Sequence, residues 1–243
     1  MNNPYIIEGK NLSETWLTAM TKIIESSGKE ITPLVLTMTD FGESQTFRQH
    51  LNSDLHSRDL DSVETVSETI FPDSLYKLCK NNRSELYKLY LRSLPRIRKV
   101  DRRNNKGIYF ERLIRYDDDK QVNQLEMIIN SLSNTSVRRS KLQASTFDPN
   151  RDYTDSPYQS FPCLQHITFY KSESGGLILN SFYAIQYLYQ RAYGNWLGLI
   201  NLGKFVAQES NLKFERFNCF IGVEQLDPKI TKSDAKLILS KLS

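Results

Sequence analysis

Apolar residues recur at helical spacing through Leu12, Trp16, Ala19, Met20, Ile23 and Ile24, and this one-sided stripe predicts an amphipathic helix. Asn11 followed by Glu14 supplies a capping arrangement at its start, and Ser27-Gly28 ends it. The unbroken run PLVLTMT at 33–39 predicts a buried strand. Helical patterns follow at 62–70, again after Pro72 with Asp73 as the cap, and at 84–94. The stretch 95–107, PRIRKVDRRNNKG, is polar and basic and predicts a surface connection. Helical patterns on both sides make it an insertion within one domain. Val122, Leu125, Ile128, Ile129 and Leu132 mark another helix, after which the signal changes. Residues 141–147, 163–170 and 177–182 are strand-like, with Gly175-Gly176 as the turn between the last two. A long helical stretch over 184–209 and a strand at 213–222 complete the pattern. Helices first, then a sheet with one long central helix, predict an α+β fold in a single domain covering 1–243.

Composition narrows this picture without redirecting it. A chain of 243 residues with 39% apolar residues, 13 Tyr and 12 Phe can bury a real core and does not read as disordered. A net charge of +4 is too mild to imply a polyanion partner, and acidic residues offset the basic run at 92–103, which disfavours nucleic acid. The arginines are nonetheless clustered: Arg92, Arg96, Arg98, Arg102, Arg103, Arg112, Arg115, Arg138 and Arg139. Such clusters suit phosphate groups, although a solvated face of ion pairs is the plainer reading of any one of them. Cys79, Cys163 and Cys219 are an odd set without framework spacing, so a reducing, cytoplasmic location is expected. The N-terminus has no apolar leader and no run reaches membrane-spanning length. Zinc-ligand spacing, a Walker loop and G-x-G-x-x-G are all missing from the sequence, so no metal is expected.

The chemistry centres on FPCLQH at 161–166. Cys163 is either a small buried residue or a nucleophile whose thiolate nearby cations stabilise. His166 falls on the opposite face of a regular strand, so it partners Cys163 only if a bulge intervenes. His50 and His56 sit in a polar stretch and are expected to face solvent. Adjacent Arg138 and Arg139 on a strand would point to opposite faces, so both serve one phosphate only in a bent segment or across a subunit boundary.

The order of these pieces resembles the thymidylate synthase and pyrimidine-nucleotide hydroxymethylase superfamily. The stretch KQVNQLEMIINSLSNTSVRRSKLQASTFDPNRDYTDSPYQSFPCLQHITFY is similar to that family's Gln-bearing helix, paired arginines, "S-x-(W/F)-x-P" strand and Pro-Cys nucleophile. NWLGLINLGKFVAQESNLKFERFNCFIG resembles its Asn-started helix and the strand after it. GIYFERLIRY is similar to its Tyr-containing segment, and ETVSETIF to the one bearing its glutamate. The resemblance covers roughly 60–227 and implies a mixed sheet backed by helices, packed sheet to sheet in a homodimer. It implies that Cys163 adds to C6 of a pyrimidine nucleotide such as dUMP or dCMP, and that C5 then accepts a methyl or hydroxymethyl carbon from methylenetetrahydrofolate. Asn195 would hydrogen-bond the base, and Glu68 would organise water for proton transfer. Tyr109 stands at the family's tyrosine. Arg138 and Arg139 would cross to the partner subunit's nucleotide phosphate.

Departures from the family pattern accompany this. Leu164, not His, follows Cys163. The positions of the family's phosphate arginine, serine and folate-contacting aspartate hold Ala184, Ile185 and Tyr187 in the gapless register, and those of its sugar-binding His and Tyr hold Gln225 and Asp227. YLYQRAY at 187–193 matches the arginine segment only after a shift of about seven residues that breaks the register to Asn195, so the resemblance would make Arg191 a substitute phosphate ligand reaching from a different point. The resemblance also implies a member without the C-terminal segment that closes over folate. A non-catalytic nucleotide-binding, assembly or regulatory protein on the same fold is the alternative.

Overall fold

A computed structural model describes residues 4–117, 119–133, 138–158 and 161–242. The elements in chain order are β1 (Tyr5–Gly9), α1 (Leu12–Glu25), β2 (Glu30–Ile31), β3 (Leu34–Met38), α2 (Gln45–Ser57), α3 (Val63–Ile70), α4 (Asp73–Leu78), α5 (Arg83–Val100), α6 (Tyr109–Ile114) and α7 (Gln124–Leu132). There follow β4 (Gln143–Ser145), α8 (Pro149–Asp152), β5 (Leu164–Lys171), β6 (Leu177–Tyr187), α9 (Tyr193–Glu209), β7 (Phe214–Gln225) and α10 (Lys232–Leu242). Short 3-10 turns cover Arg102–Asn105 and Arg139–Lys141, and a π-helical turn covers Leu188–Ala192.

The fold is α+β: a seven-stranded mixed sheet in the order β1-β3-β7-β6-β5-β4, with β2 on β7, backed by helices. β5 and β6 form the antiparallel hairpin expected around Gly175, while β6 runs parallel to β7 and α9 makes the crossover between them. One face of the sheet is apolar and buried: Leu36, Leu179, Phe217, Cys219, Ile221 and Ile167 are all essentially inaccessible. Trp16 and Trp196 fill the space above it, each donating its indole N–H, to Leu188 O at 2.9 Å and Gln186 Oε1 at 3.1 Å. The alternation of faces slips on β6 and β7 together. Tyr183 and Gln186 are both buried, as are Ile221 and Glu224, three positions apart on each strand. Gly222 sits at the slip because an added Cβ would lie 2.8 Å from Ala184 O.

The other face carries two cross-strand rows. Ile6, Val35, Phe220, Phe182 and His166 form one, with Phe182 and Phe220 stacked at 5.6 Å between ring centroids. Thr37, Asn218, Asn180 and Thr168 form the next, joined by side-chain hydrogen bonds of 2.7, 2.7 and 3.0 Å. Ile6 is 64% exposed, Phe220 42% and Phe182 38%, so this face is open.

Three expectations from the pattern need correction. The basic stretch 95–107 is not a loop throughout: α5 continues through Pro95 to Val100, and the remainder holds the 3-10 turn Arg102–Asn105. The one hydrogen bond lost because Pro95 has no N–H is tolerated on an exposed helix face, where apolar spacing through Leu86, Tyr90 and Leu94 holds the helix to the core. The long helix also starts later than 184, because β6 extends to Tyr187 and its pairing with β7 outweighs the local helical pattern. Asp73 is the first residue of α4 rather than its cap. Among the described residues no helix is long and apolar enough to cross a membrane, and no group of three or more His, Cys, Asp or Glu is placed to hold a metal ion.

Candidate functional site

Cys163 lies immediately before β5, half-buried and packed against the core. Three contacts position it. The phenol oxygen of Tyr109, at the start of α6, accepts the backbone N–H of Cys163 at 3.3 Å and of Leu164 at 3.4 Å. Cys163 O accepts from Ala184 N of β6 at 3.1 Å. Phe161, two residues earlier, packs tilted against the Tyr109 ring at 5.0 Å between centroids and lies 5.4 Å under the Arg112 guanidinium. Gly107 is required here, since it adopts φ 144° and an added Cβ would lie 2.5 Å from the Phe161 ring.

Arg112 is itself buried and donates to Asp152 Oδ1 at 2.6 Å. Its place in the sequence cluster therefore reflects a structural ion pair under Phe161. Arg98 and Arg115 likewise share Glu111. The clustered arginines in this part of the chain are mostly neutralised from within.

Arg191 is also paired, but its pair is open to water. It projects from the π-helical turn, which is pinned by Tyr189 N donating to Leu226 O at 3.2 Å and Tyr189 OH donating to Asp54 Oδ2 at 2.5 Å. Its charge reaches Cys163, Tyr109, Asp61, Asp101 and Asp227. Arg191 Nη1 lies 3.0 Å from Asp61 Oδ2, and Arg103 Nη2 lies 2.9 Å from Asp61 Oδ1. Burial pushes the Cys163 thiol above its ordinary value, and Arg191 opposes that shift without reversing it. The Tyr109 phenol is also pushed up, by burial and then by the Cys163 thiol, so it remains protonated. Burial alone lowers His166. The β5–β6 register does shift between Leu164 and His166, but His166 lies in the open-face row beside Phe182, and the cation that Cys163 feels is Arg191.

The other sequence-derived residues fall elsewhere. Glu68 accepts from Ser74 N at 3.0 Å and Ser74 Oγ at 2.9 Å, which satisfies the first turn of α4. Burial raises its carboxyl, and its charged neighbours are Asp73 and Lys77. Asn195 is buried in the first turn of α9, beside Gly194, which packs on Val63 and Val66 of α3. No hydrogen bond or charge interaction between described residues joins Glu68 or Asn195 to Cys163. Arg138 and Arg139 are exposed, and the Arg139 guanidinium lies 4.5 Å over the Tyr170 ring. Ser136 and Val137 of that segment lie outside the described residues. His50 and His56 are exposed on α2.

Asp61 and Asp227 carried no chemical signal of their own in the sequence. Asp61 precedes the Ser62 cap of α3, and only the fold brings it to Arg191. Asp227 is buried with one carboxylate oxygen lacking a partner. Burial raises its carboxyl against the backbone N–H of Lys229 and the Gln190 side chain. Compared with known protein families and with curated proteins, the sequence matches none.

Proposed function

We propose that the chain is a divergent pyrimidine-nucleotide enzyme in which Cys163 adds to C6 of the base. The observation that carries this reading is one half-buried thiol, Cys163, at the head of β5 on a backbone held by the Tyr109 hydroxyl, with the charge of Arg191 acting on it. In the reaction the Cys163 thiol gives its proton to solvent and the thiolate attacks C6, and the C5–C6 π electrons move onto the C4 oxygen of a uracil, as an enolate, or onto N3 of a cytosine. C5 takes a proton, or a one-carbon electrophile where one is supplied. Loss of the original C5 proton and departure of the thiolate restore the ring and the enzyme.

Methylenetetrahydrofolate is the carbon donor that the resemblance implies. Ala184, Ile185 and Tyr187 offer no carboxylate to hold a pterin, and Ile185 is 38% exposed on the open face. These residues do not fit the donor, so no step is routed through it. The test is release of tritium from C5-labelled dUMP or dCMP, with and without folate. Wild type should release it and Cys163→Ser should not; no release from either nucleotide by wild type sinks the reading.

A second copy packed on the open sheet face completes the proposal. That face combines the apolar row of Ile6, Val35, Phe220 and Phe182 with a polar ladder, and Arg139 stands at its margin over Tyr170. Such a mixed surface suits an interface, and Arg138 and Arg139 would then reach the partner's nucleotide. Sedimentation should show a dimer, and Phe220→Glu, which buries a charge in the interface, should convert it to monomer. A wild-type monomer at every concentration removes the dimer.

The rival reading, a nucleotide-binding or assembly protein without catalysis, draws on a specific observation. The Cys163 thiol is raised, and the Glu68 carboxylate is occupied by Ser74. Under that reading nucleotide binds without tritium release, and Cys163→Ala leaves binding intact.

A further inference from the structure

One carboxylate, Asp61, accepts from two guanidiniums, one on each oxygen: Arg191 at 3.0 Å and Arg103 at 2.9 Å. The three residues come from unrelated segments. Asp61 precedes α3, Arg103 lies in the 3-10 turn after α5, and Arg191 lies in the π-helical turn after β6. This is the arrangement by which paired arginines hold a phosphate, with a carboxylate in its place. We propose that Arg191 and Arg103 form a cradle for the phosphate of a phosphomonoester, and that Asp61 fills the cradle until the ligand displaces it.

Four observations support the exchange. The Asp61 carboxylate does not cap α3, because Ser62 Oγ takes the Thr65 N–H at 3.1 Å; among the described residues its hydrogen bonds and ion pairs are with the two arginines. The pairs are open to water, with side-chain exposures of 21% for Asp61, 32% for Arg191 and 63% for Arg103. Ion pairs this accessible contribute little to folding, so releasing one leaves the fold intact. Arg103 keeps an anchor when Asp61 leaves, since its Nε lies 2.9–3.0 Å from both Asp101 oxygens and Asp101 Oδ1 also accepts its backbone N–H.

The place of the cradle decides what else the ligand acts on. The charge of Arg191 acts on both the Cys163 thiol and the Tyr109 phenol, so a phosphate that neutralises Arg191 also changes the field at Cys163. Burial works to raise the Asp61 carboxyl, and the hydrogen bond from Arg103 with the charge of Arg191 outweighs it. Asp61 therefore leaves as an anion, and both its competition and its repulsion weaken ligand binding. Asp61 is thus a built-in rival of the ligand phosphate, and Arg103 the second phosphate residue. The inference takes its ligand class from the nucleotide reading above, while its test does not use catalysis.

Calorimetry at low salt with inorganic phosphate, a pyrimidine nucleoside monophosphate and the matching nucleoside separates the two ideas. Asp61→Asn keeps the shape and removes the charge, and should bind phosphate at least about tenfold tighter than wild type, the scale of one charge-assisted hydrogen bond. Adding Arg103→Gln should erase that gain. Phosphate affinity unchanged or weakened in Asp61→Asn overturns the proposal. Tighter phosphate with no preference for the monophosphate over its nucleoside keeps the cradle and removes the nucleotide reading. If Asp61→Asn fails to fold, the same exchange is read in wild type. Phosphate or the monophosphate should slow alkylation of Cys163, and Arg103→Gln should weaken that protection; absence of protection by either anion overturns it.

Discussion

Arg112 and Arg191 both serve the neighbourhood of Cys163, and both pair with an aspartate, but in opposite settings. Arg112 lies 2.6 Å from Asp152 with side-chain exposures of 2% and 3%. Arg191 lies 3.0 Å from Asp61 with exposures of 32% and 21%. The first pair holds Phe161 in place under its guanidinium and has no route for exchange with water. The second is weakly screened from solvent, shares its carboxylate with Arg103 and projects its field onto a thiol. Sequence chemistry is the same in the two cases; burial separates a scaffold from a site.

The largest effect expected from this contrast is on stability. Asp152→Ala strands a buried guanidinium and should cost about 3–5 kcal/mol in urea denaturation. Asp61→Asn should change stability by no more than about 1 kcal/mol in the same measurement, because its pairs are open to water. Equal losses at the two sites would break the comparison. A smaller and sharper effect concerns reactivity. Burial raises the Cys163 thiol and Arg191 opposes it, so the thiol is protonated at neutral pH and alkylation should accelerate as pH rises. Arg191→Gln removes the opposing cation and should move that rate profile to higher pH. The readout is iodoacetamide labelling resolved by peptide mass, because Cys79 is also accessible. A profile unmoved by Arg191→Gln would show that the cation does not act on Cys163.

Much of the fold was legible before the structure. Asn11 does cap α1, accepting from Glu14 N at 2.9 Å, and the apolar stripe of that helix is the face that is buried. The 163–170 and 177–182 segments do form a hairpin, and Phe214–Gln225 is the strand expected after the long helix. Less legible were segments whose partners are distant. Tyr5–Gly9 is too short to show a period, and becomes a strand only by pairing with Leu34–Met38. Gln45–Ser57 is polar enough to read as a connection, and is a helix because Phe47, Leu51 and Leu55 meet the core. The π-helical turn has no sequence signature, yet it sets the direction of Arg191.

The sequence by itself determined which segments have an apolar side, where helices begin, and that Cys163 follows Pro162 at the head of a strand. These are local properties, set by spacing and backbone preference. Tertiary structure alone decided which charges meet. Asp61, Arg103 and Arg191 are far apart along the chain and converge within 3.0 Å, while Glu68 is held by Ser74 at the start of α4. An ion pair depends on distance and on the water around it, and neither is written in the spacing of residues along the chain.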